Sequence, residues 1–286
     1  MSWQILEHVP SASGITKYKE DFYAIGDDSP YLFRLDKNFK LLSKTQIHSS
    51  EKLQGNTIPK TDKPDFEAME MVSATEILVL GSGSKSPERD VCILVDIGKE
   101  ITCQKYDIAL FYEHIRSLEI MQGYELDIEG LAFDGHLLYI FNRGRNIIFS
   151  FSYPEFMAYC KTGRDFPIPK THRYSLPKIN GLEAGFSGAT LLDKQPYLIF
   201  TAAVEDAPNA YDDGEILGSF IGVIKINNGE IADDFLIQQI PNPGFPLKVE
   251  SVIVDQILSD TQTDLVLVTD NDGAPSEVIR LRMTLR

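Results

Sequence analysis

Short runs of β-branched and aromatic residues alternate with clusters of Gly, Pro, Asn and Asp along the whole chain. Clear examples occupy 31–35, 91–97, 146–152, 220–226 and 277–283. Runs of this length, bounded by turn residues, are typical of β-strands. A helical pattern is confined to A-L-F-Y-E-H-I-R-S-L-E-I-M at 109–121. The pattern therefore predicts an all-β protein with one short helix.

A four-residue signature recurs five times along these runs. It consists of an apolar or small residue, then Glu or Ser, then a small residue, then an aliphatic one, and reads A-S-G-I, F-E-A-M, I-E-G-L, F-S-G-A and V-E-S-V. The polar member falls at Ser13, Glu67, Glu129, Ser187 and Glu250, at intervals of 54, 62, 58 and 63 residues. One fifth of the 286 residues is about 57, so five units account for the chain.

Each signature is followed by further strand-like runs, which define the architecture. Second runs lie at 23–28, 77–84, 138–144, 197–203 and 265–272, third runs are those given above, and fourth runs lie at 39–47, 100–108, 171–179 and 230–240. The fifth unit lacks a fourth run, whereas W-Q-I-L-E-H-V at 3–9 precedes the first signature. We therefore predict a single domain over 1–286, a five-bladed β-propeller with four antiparallel strands per blade, closed by the N-terminal strand. A β-sandwich is the alternative, but it gives no reason for a fivefold signature.

The charge of the chain narrows the classes of partner. Forty-two Asp and Glu residues against 27 Lys and Arg give a formal net charge of −15. This balance argues against nucleic-acid binding and against a basic membrane anchor. The N-terminus has no signal-peptide pattern, and we expect a cytoplasmic protein. The three cysteines, Cys92, Cys103 and Cys160, match neither a disulfide framework nor a metal motif, and are interpreted as buried thiols.

The polar member of the signature carries the strongest chemical prediction. In a propeller the innermost strands line a central channel, so one position repeated in every blade forms a ring around the axis. The ring reads Ser13, Glu67, Glu129, Ser187, Glu250. Three converging carboxylates need raised pKa values or a compensating cation. Ca²⁺ takes six to eight oxygen ligands, and the ring offers only oxygen, so we predict a calcium site. The alternative is that each Glu faces solvent or caps a neighbouring blade.

The order Ser-Glu-Glu-Ser-Glu around five blades resembles the central calcium ring of the soluble calcium-activated nucleotidases, the apyrase family. That family has an Asp-Asp-Arg-type turn in its first blade and an Arg-Arg pair in its third. The matching turns here are G-D-D-S-P at 26–30 and F-N-R-G-R at 141–145. The resemblance implies roles for Asp27, Asp28, Arg143 and Arg145, while Ser29 stands in place of an arginine and Gly144 separates the other two.

The D-x-E-G-L and G-F-S-G-A signatures are also similar, over the entire chain, to those of uncharacterised bacterial propellers related to the esterase-like phytases. This second resemblance implies the propeller fold.

Three further motifs lie outside the ring or overlap it. G-F-S-G-A at 185–189 approaches a nucleophile elbow, but no helix pattern or later His follows, so Ser187 is assigned to the ring. G-S-G-S-K-S at 81–86 is interpreted as a turn, from which Lys85 and Arg89 are expected to project over the channel mouth. T-D-N-D-G-A-P-S-E at 269–277 is an Asp-Gly turn that leaves Asp270 and Asp272 as candidates at the strand end matching Asp27 and Asn142. The acidic insertion at 204–218 is either a lid or a solvated connector.

Two functions from different classes follow. In the first, the protein is a calcium-dependent hydrolase of phosphoanhydrides or phosphate esters, with Asp27, Asp28 or Asp270 positioning water. Arg143, Arg145, Asn142 and Arg89 would then bind a small-molecule substrate at one channel mouth. In the second, the axial ion is structural and the propeller binds a small molecule or a protein without catalysis. Lactone hydrolysis is a third and weaker alternative, since those propeller sites resemble Glu-Asn-Asn-Asp.

Overall fold

The computed structural model describes residues 1–192, 195–207, 214–227, 229–271 and 274–285. It contains five four-stranded antiparallel sheets arranged as the blades of a propeller, which confirms the predicted architecture. In each blade the four strands pair in chain order from the axis outward, except that the last blade takes its outer strand from the N-terminus.

The blades are built from the following strands. Blade 1 comprises β2 (Ala12–Tyr18), β3 (Asp21–Gly26), β4 (Tyr31–Leu35) and β5 (Leu41–Gln46), and blade 2 comprises β6 (Phe66–Met71), β7 (Glu76–Gly81), β8 (Val91–Asp96) and β9 (Thr102–Asp107). Blade 3 comprises β10 (Ile128–Phe133), β11 (Leu137–Asn142), β12 (Ile147–Ser152) and β13 (Lys170–Arg173). Blade 4 comprises β16 (Gly185–Leu192), β17 (Tyr197–Asp206), β18 (Glu215–Asn227) and β19 (Glu230–Gln239). Blade 5 comprises β20 (Val249–Ile257), β21 (Gln262–Asn271), β22 (Ala274–Thr284) and the N-terminal β1 (Ser2–Ile5).

The ring of blades is closed by the first and last strands of the chain. β1 pairs antiparallel with β22, with Trp3 opposite Ile279 and Ile5 opposite Glu277. The leftover N-terminal run thus supplies the missing outer strand of blade 5, as predicted. Closure of this kind removes an exposed sheet edge.

The connections contain two helices, of which one was predicted. α1 (Ala109–Ser117) and a 3₁₀ turn at Glu119–Met121 occupy the expected segment. The expectation of a single helix is wrong, because α2 (Tyr153–Thr162) connects β12 to β13. Pro154 in its first turn and the left-handed Gly163 that caps it are ordinary helix boundary signals. None of the helices within the described ranges is long and apolar enough to cross a membrane.

The outer strand of blade 3 is shorter than predicted. The run at 171–179 yields only β13, after which Lys178–Ile179 (β14) pairs with Leu182–Glu183 (β15) in a small separate hairpin. β13 ends at Arg173 because that residue lies opposite Ile147, the first residue of β12, and Pro177 beyond it has no N–H to donate to a ladder.

The apolar core lies between neighbouring blades. Phe141, Phe186 and Phe200 pack edge to face between blades 3 and 4, with ring centroids 5.1 to 5.2 Å apart. Apolar residues thus fill the space between the sheets, and polar residues are left for the axis.

The 204–218 insertion continues the hairpin of blade 4. Val204 pairs with Gly218 and Asp206 with Glu215, so β17 and β18 extend well beyond the ends of the matching strands. Residues 208–213 at its centre lie outside the described residues.

Candidate functional site

A β-bulge occurs at the same place in the first strand of every blade. The pairing shifts between Ala12 and Gly14, Phe66 and Ala68, Ile128 and Gly130, Phe186 and Gly188, and Val249 and Ser251. The residue left unpaired in each case is the polar member of the signature. A bulge bends the strand and redirects one side chain. The ring, comprising Ser13, Glu67, Glu129, Ser187 and Glu250, therefore rests on a repeated backbone feature.

The glycine after the bulge is required in blades 3 and 4, because these blades approach their neighbours closely at this level. A Cβ on Gly188 would lie 2.7 Å from Ser251 Cα, and one on Gly130 would lie 2.9 Å from the Ala189 nitrogen. Backbone atoms at these distances cannot move aside cheaply. The signature thus encodes both the ring side chain and the blade contact beside it.

The two serines of the ring connect neighbouring blades. Ser187 Oγ donates a 2.6 Å hydrogen bond to the Val249 carbonyl, and Ser13 Oγ donates to the Phe66 carbonyl. Each acceptor residue immediately precedes the ring glutamate of the next blade. A hydroxyl that donates in this way keeps lone pairs on its oxygen for another partner.

The glutamates of the ring are poorly compensated. The nearest basic contacts are Arg143 Nη1, 3.6 Å from Glu129 Oε1, and Lys248 Nζ, 3.6 Å from Glu250 Oε1. Glu250 is only 4% exposed, and neither of its carboxylate oxygens accepts a hydrogen bond within the described residues. Burial raises the pKa of both carboxyls to about 8, with Asp127 adding to the effect at Glu129. Burial and the neighbouring carboxylates likewise raise the pKa of Glu67 well above its usual range.

A second group of charges surrounds the channel where the first strands begin and the second strands end, which we call the upper mouth. Asp27, Asp65 and Glu67 each place a carboxylate oxygen within 4.8 Å of the others. Lys63 pairs with Asp27 and lies 2.8 Å from Asp65. Arg89 Nη1 lies 2.5 Å from Asp65, which is buried. Burial opposes ionisation of Asp65, but Lys63 and Arg89 outweigh it and hold its pKa below the ordinary value.

The remaining charges of the upper mouth connect blades 3, 4 and 5. Arg143 Nη2 lies 3.3 Å from Glu205, which extends from the blade 4 hairpin. Lys248 Nζ lies 3.8 Å from the same carboxylate and 4.0 Å from Asp270. Two cations therefore join carboxylates from three blades around the mouth.

Two aspartates of the upper mouth have a raised pKa near neutrality. Burial, reinforced by the charge of Asp27, raises the pKa of Asp28 to about 7. Burial also raises the pKa of Asp127 to about 7, although Arg143 works in the opposite direction. At neutral pH both groups exchange readily between the protonated and ionised forms.

The predicted catalytic and substrate-binding residues have different surroundings. Asp27, Asp28, Asp270 and Arg143 all contribute to the charge network of the upper mouth. Asn142 is fully buried, and its Oδ1 accepts a 2.7 Å hydrogen bond from the Asp127 amide. The sequence predicted that Arg89 projects over the mouth. Arg89 is instead buried and pairs with Asp65. Asp272 lies outside the described residues.

Sequence reasoning missed several members of the network. Asp65, Asp127 and Lys248 each stand two residues before a ring glutamate, in D-F-E, D-I-E and K-V-E. That spacing was visible in the sequence and would have identified them. Lys63 belongs to an inter-blade connection and Glu205 to the extended end of β17, neither of which has a repeated pattern, so no local signal marks them.

A cleft of about 420 Å³ opens beside the upper mouth, between blades 3 and 4. We call it the arginine cleft, because Arg143, Arg145 and Arg173 all line it. Arg145 lies against Tyr124, with the guanidinium carbon 4.1 Å from the ring centroid, and its Nη1 donates a 2.5 Å hydrogen bond to the Ile120 carbonyl. Arg145 thus faces this cleft, away from the axis.

Comparison with known proteins identifies the family. Residues 8–283 match the family of unknown function DUF6929, so the chain belongs to that family. No protein with a curated description matches the sequence.

One solved structure of distant sequence shares the fold, and others align with lower scores. Glutaminyl cyclase from Myxococcus xanthus superimposes with a TM-score of 0.51 at 9% identity, covering 99% of this chain and 97% of that one. Aldose sugar dehydrogenase from Streptomyces coelicolor gives a TM-score of 0.47 at 12% identity, covering 98% of both chains. The N-terminal domain of Nup159 gives 0.42 at 12% identity, and the present chain spans 63% of its length. At these identities the similarity concerns the fold alone.

Proposed function

We propose that the ring binds Ca²⁺, and that the protein is a calcium-dependent hydrolase of phosphoanhydrides or phosphate esters. The observation that carries the calcium site is Glu250, a buried carboxylate with no hydrogen bond to either oxygen among the described residues. Lys248 Nζ is 3.6 Å from Oε1, too far for a hydrogen bond, so the buried carboxyl stays costly to ionise and a cation at the axis would remove that cost.

The donor set of the ring fits a hard cation. Glu67, Glu129 and Glu250 supply carboxylate oxygens, and Ser13 and Ser187 supply hydroxyl oxygens. The ring contains neither His nor Cys, the ligands that zinc and copper favour. Ca²⁺ accepts six to eight oxygens in a flexible geometry, so carbonyls and water complete the shell.

The adjacent aspartate cluster is a weaker candidate for a cation. The ammonium of Lys63 already contacts Asp27 and Asp65, and Arg89 contacts Asp65 from the other side. Lys63 and Arg89 lie within 2.8 Å of Asp65 and bring more of the charge that an ion would supply than Arg143 and Lys248 do at the ring, where the contacts are 3.6 Å. We therefore assign the ion to the ring.

The residues of the upper mouth fit the chemistry of hydrolysis. A bound Ca²⁺ supplies a Lewis acid that polarises a phosphoryl oxygen. Asp28 is the best general base, because a carboxyl with a pKa of about 7 both accepts and releases a proton near neutral pH. The other two candidates, Asp27 and Asp270, are less suited to this role, because Lys63 pairs with Asp27 and Lys248 lies near Asp270. Arg143 is placed to orient an oxyanion, since its guanidinium lies between the ring and the arginine cleft.

A specific observation also favours the non-catalytic alternative. The ring glutamates come from blades 2, 3 and 5, so an ion bound to all three would join the blades whether or not any reaction occurs. The two functions differ in whether loss of the ion changes stability alone or stability and turnover together.

The calcium site is tested by calorimetric titration of chelator-treated protein with Ca²⁺. We expect one ion per chain for the wild type and loss of binding for Glu250→Gln. Glu70→Gln is the matched control, because it removes the same charge as Glu250→Gln from a first strand of a blade. Glu70 lies on the same strand as the ring residue Glu67 but near the opposite mouth, outside the ring. Equal binding by wild type and Glu250→Gln would overturn the site.

Hydrolysis is tested with pyrophosphate and p-nitrophenyl phosphate. Arg143→Ala is expected to abolish turnover while calcium content stays the same. Retained turnover would refute the role of Arg143. No turnover by calcium-loaded wild type on either substrate, with an intact calcium-dependent melting transition, would instead support the structural ion.

A further inference from the structure

We propose that the arginine cleft is a binding site for the phosphate group of a small anionic ligand, a phosphate monoester or a diphosphate. The inference rests on the proposed function in one respect, since it identifies where the phosphate of its substrate would bind. Arg145 and Arg173, however, have no part in the calcium ring.

The charge of the cleft is opposite to that of the chain. Three arginines line the cleft against two glutamates, in a protein with a net charge of −15. Both glutamates are already engaged. Glu183 accepts a 2.9 Å hydrogen bond from the Leu176 amide, and Glu205 lies between Arg143 and Lys248. A local cluster of this kind is what an acidic protein needs to attract an anion.

Two of the arginines retain free hydrogen-bonding capacity. Arg173 is exposed at the rim of the cleft, and its side chain makes no hydrogen bond or ion pair within the described part of the chain. The Nε of Arg145 is buried without a hydrogen-bond partner among those residues. Planar guanidinium groups bind phosphate oxygens through paired hydrogen bonds, which suits a cleft lined by three arginines.

Hydrogen bonds of the Asn146 side chain hold the two walls of the cleft together. The side chain of Asn146 on blade 3 donates to the Ala184 carbonyl at 2.9 Å and accepts from the Phe186 amide at 3.0 Å. Arg143 passes across Gly185, where a Cβ would lie only 2.4 Å from its Cγ. The absence of a side chain at Gly185 is therefore what allows Arg143 to reach between the cleft and the ring.

The size of the cleft suits a phosphate with a small organic substituent. A volume of about 420 Å³ is within the range of small-molecule sites. The phenol ring of Tyr124, 47% exposed, adds an apolar surface beside the guanidinium of Arg145. Three arginines favour a dianionic phosphate over a singly charged carboxylate.

The experiment is calorimetric titration with inorganic phosphate and with pyrophosphate, in the presence of a calcium chelator. We expect both anions to bind wild type, and Arg145→Ala and Arg173→Ala each to weaken binding roughly tenfold. Arg164→Ala is the matched control, since Arg164 is an exposed arginine just after α2 and outside the cleft. Arg173→Ala changes an exposed side chain and is expected to keep the wild-type melting temperature; Arg145→Lys is the second variant should Arg145→Ala not fold.

The outcomes separate the cleft from the calcium site. Equal phosphate affinity in wild type and both alanine variants would overturn the cleft, and so would tighter binding of acetate than of phosphate. Phosphate binding without any calcium binding would overturn the ring and leave the cleft standing. Calcium binding without phosphate binding would do the reverse.

Discussion

The substitution Glu250→Gln distinguishes two roles for this carboxylate. In one, Glu250 is a calcium ligand that destabilises the ion-free protein; in the other, its charge stabilises the fold without an ion. Glutamine keeps the shape of the side chain and removes its charge. In the ion-free protein the substitution should raise stability, because burial keeps the wild-type carboxyl protonated up to about pH 8, which costs free energy relative to the unfolded chain at pH 7. In the presence of Ca²⁺ the order should reverse, because the variant loses a ligand.

The magnitude follows from the pKa of Glu250. Burial raises it from the ordinary 4.5 of a glutamate to about 8, and each pKa unit corresponds to about 1.4 kcal/mol. Keeping the group in the folded state at pH 7 therefore costs about 3 kcal/mol relative to the unfolded chain. A buried amide that lacks partners costs about 1 to 3 kcal/mol. The net gain in the variant is therefore at most about 2 kcal/mol, or up to roughly 8 °C in melting temperature for a chain of this size.

The pH dependence has a definite sign. The folded-state pKa lies above the unfolded one, so the folded protein binds more protons between them. Stability of the ion-free wild type should therefore fall as pH rises from 4.5 towards about 8, and Glu250→Gln should flatten that decline.

The assay is thermal unfolding in chelator and in Ca²⁺, at about pH 5 and about pH 8. Glu70→Gln serves again as the control and should follow the wild type. An ion-free Glu250→Gln protein that melts below wild type at the higher pH would refute the reasoning, since it would mean that the charge of Glu250 stabilises the fold.

Three further predictions concern the same channel. Calcium affinity should increase between about pH 6 and pH 8.5, because Glu129 and Glu250, with pKa values of about 8, must lose protons to bind the ion; proton release measured by calorimetry in two buffers checks this, and none would contradict it. Ser187→Ala should lower stability by about 1 to 3 kcal/mol in chelator, because it leaves the buried Val249 carbonyl without its partner; a melting temperature equal to wild type would argue against that hydrogen bond. Gly185→Ala should weaken pyrophosphate binding without changing calcium stoichiometry, because the new Cβ displaces Arg143; unchanged pyrophosphate affinity would contradict the path assigned to that side chain.

The fold was predictable because its determinants are local and repeated. The five signatures mark the five bulges, and the unpaired N-terminal run fills the one vacant outer strand. The sequence did not predict α2, because its buried residues, Phe156, Met157 and Tyr159, directly follow a strand and continue its apolar pattern. The sequence did not predict the β14–β15 hairpin either, because the run around Pro177 still has the composition of one continuous strand.

The candidate site was predictable only where it repeats. The positions of the ring follow from the spacing of the signature, whereas the partners of its charges do not. Lys63 and Glu205 reach the upper mouth from an inter-blade connection and an extended hairpin. Their positions depend on tertiary packing between distant segments. Arg89 shows the same limit, because a loop arginine pairs with an aspartate 24 residues earlier in the chain.

The repeated bulge directs one side chain of every blade towards the axis whether that residue is Ser or Glu. The backbone geometry of the ring is therefore the same for both residue types. Replacing Ser13 or Ser187 by Glu would raise the number of axial carboxylates from three to four or five in single steps. The propeller is thus a scaffold on which ion selectivity can be engineered by counting charges around one axis.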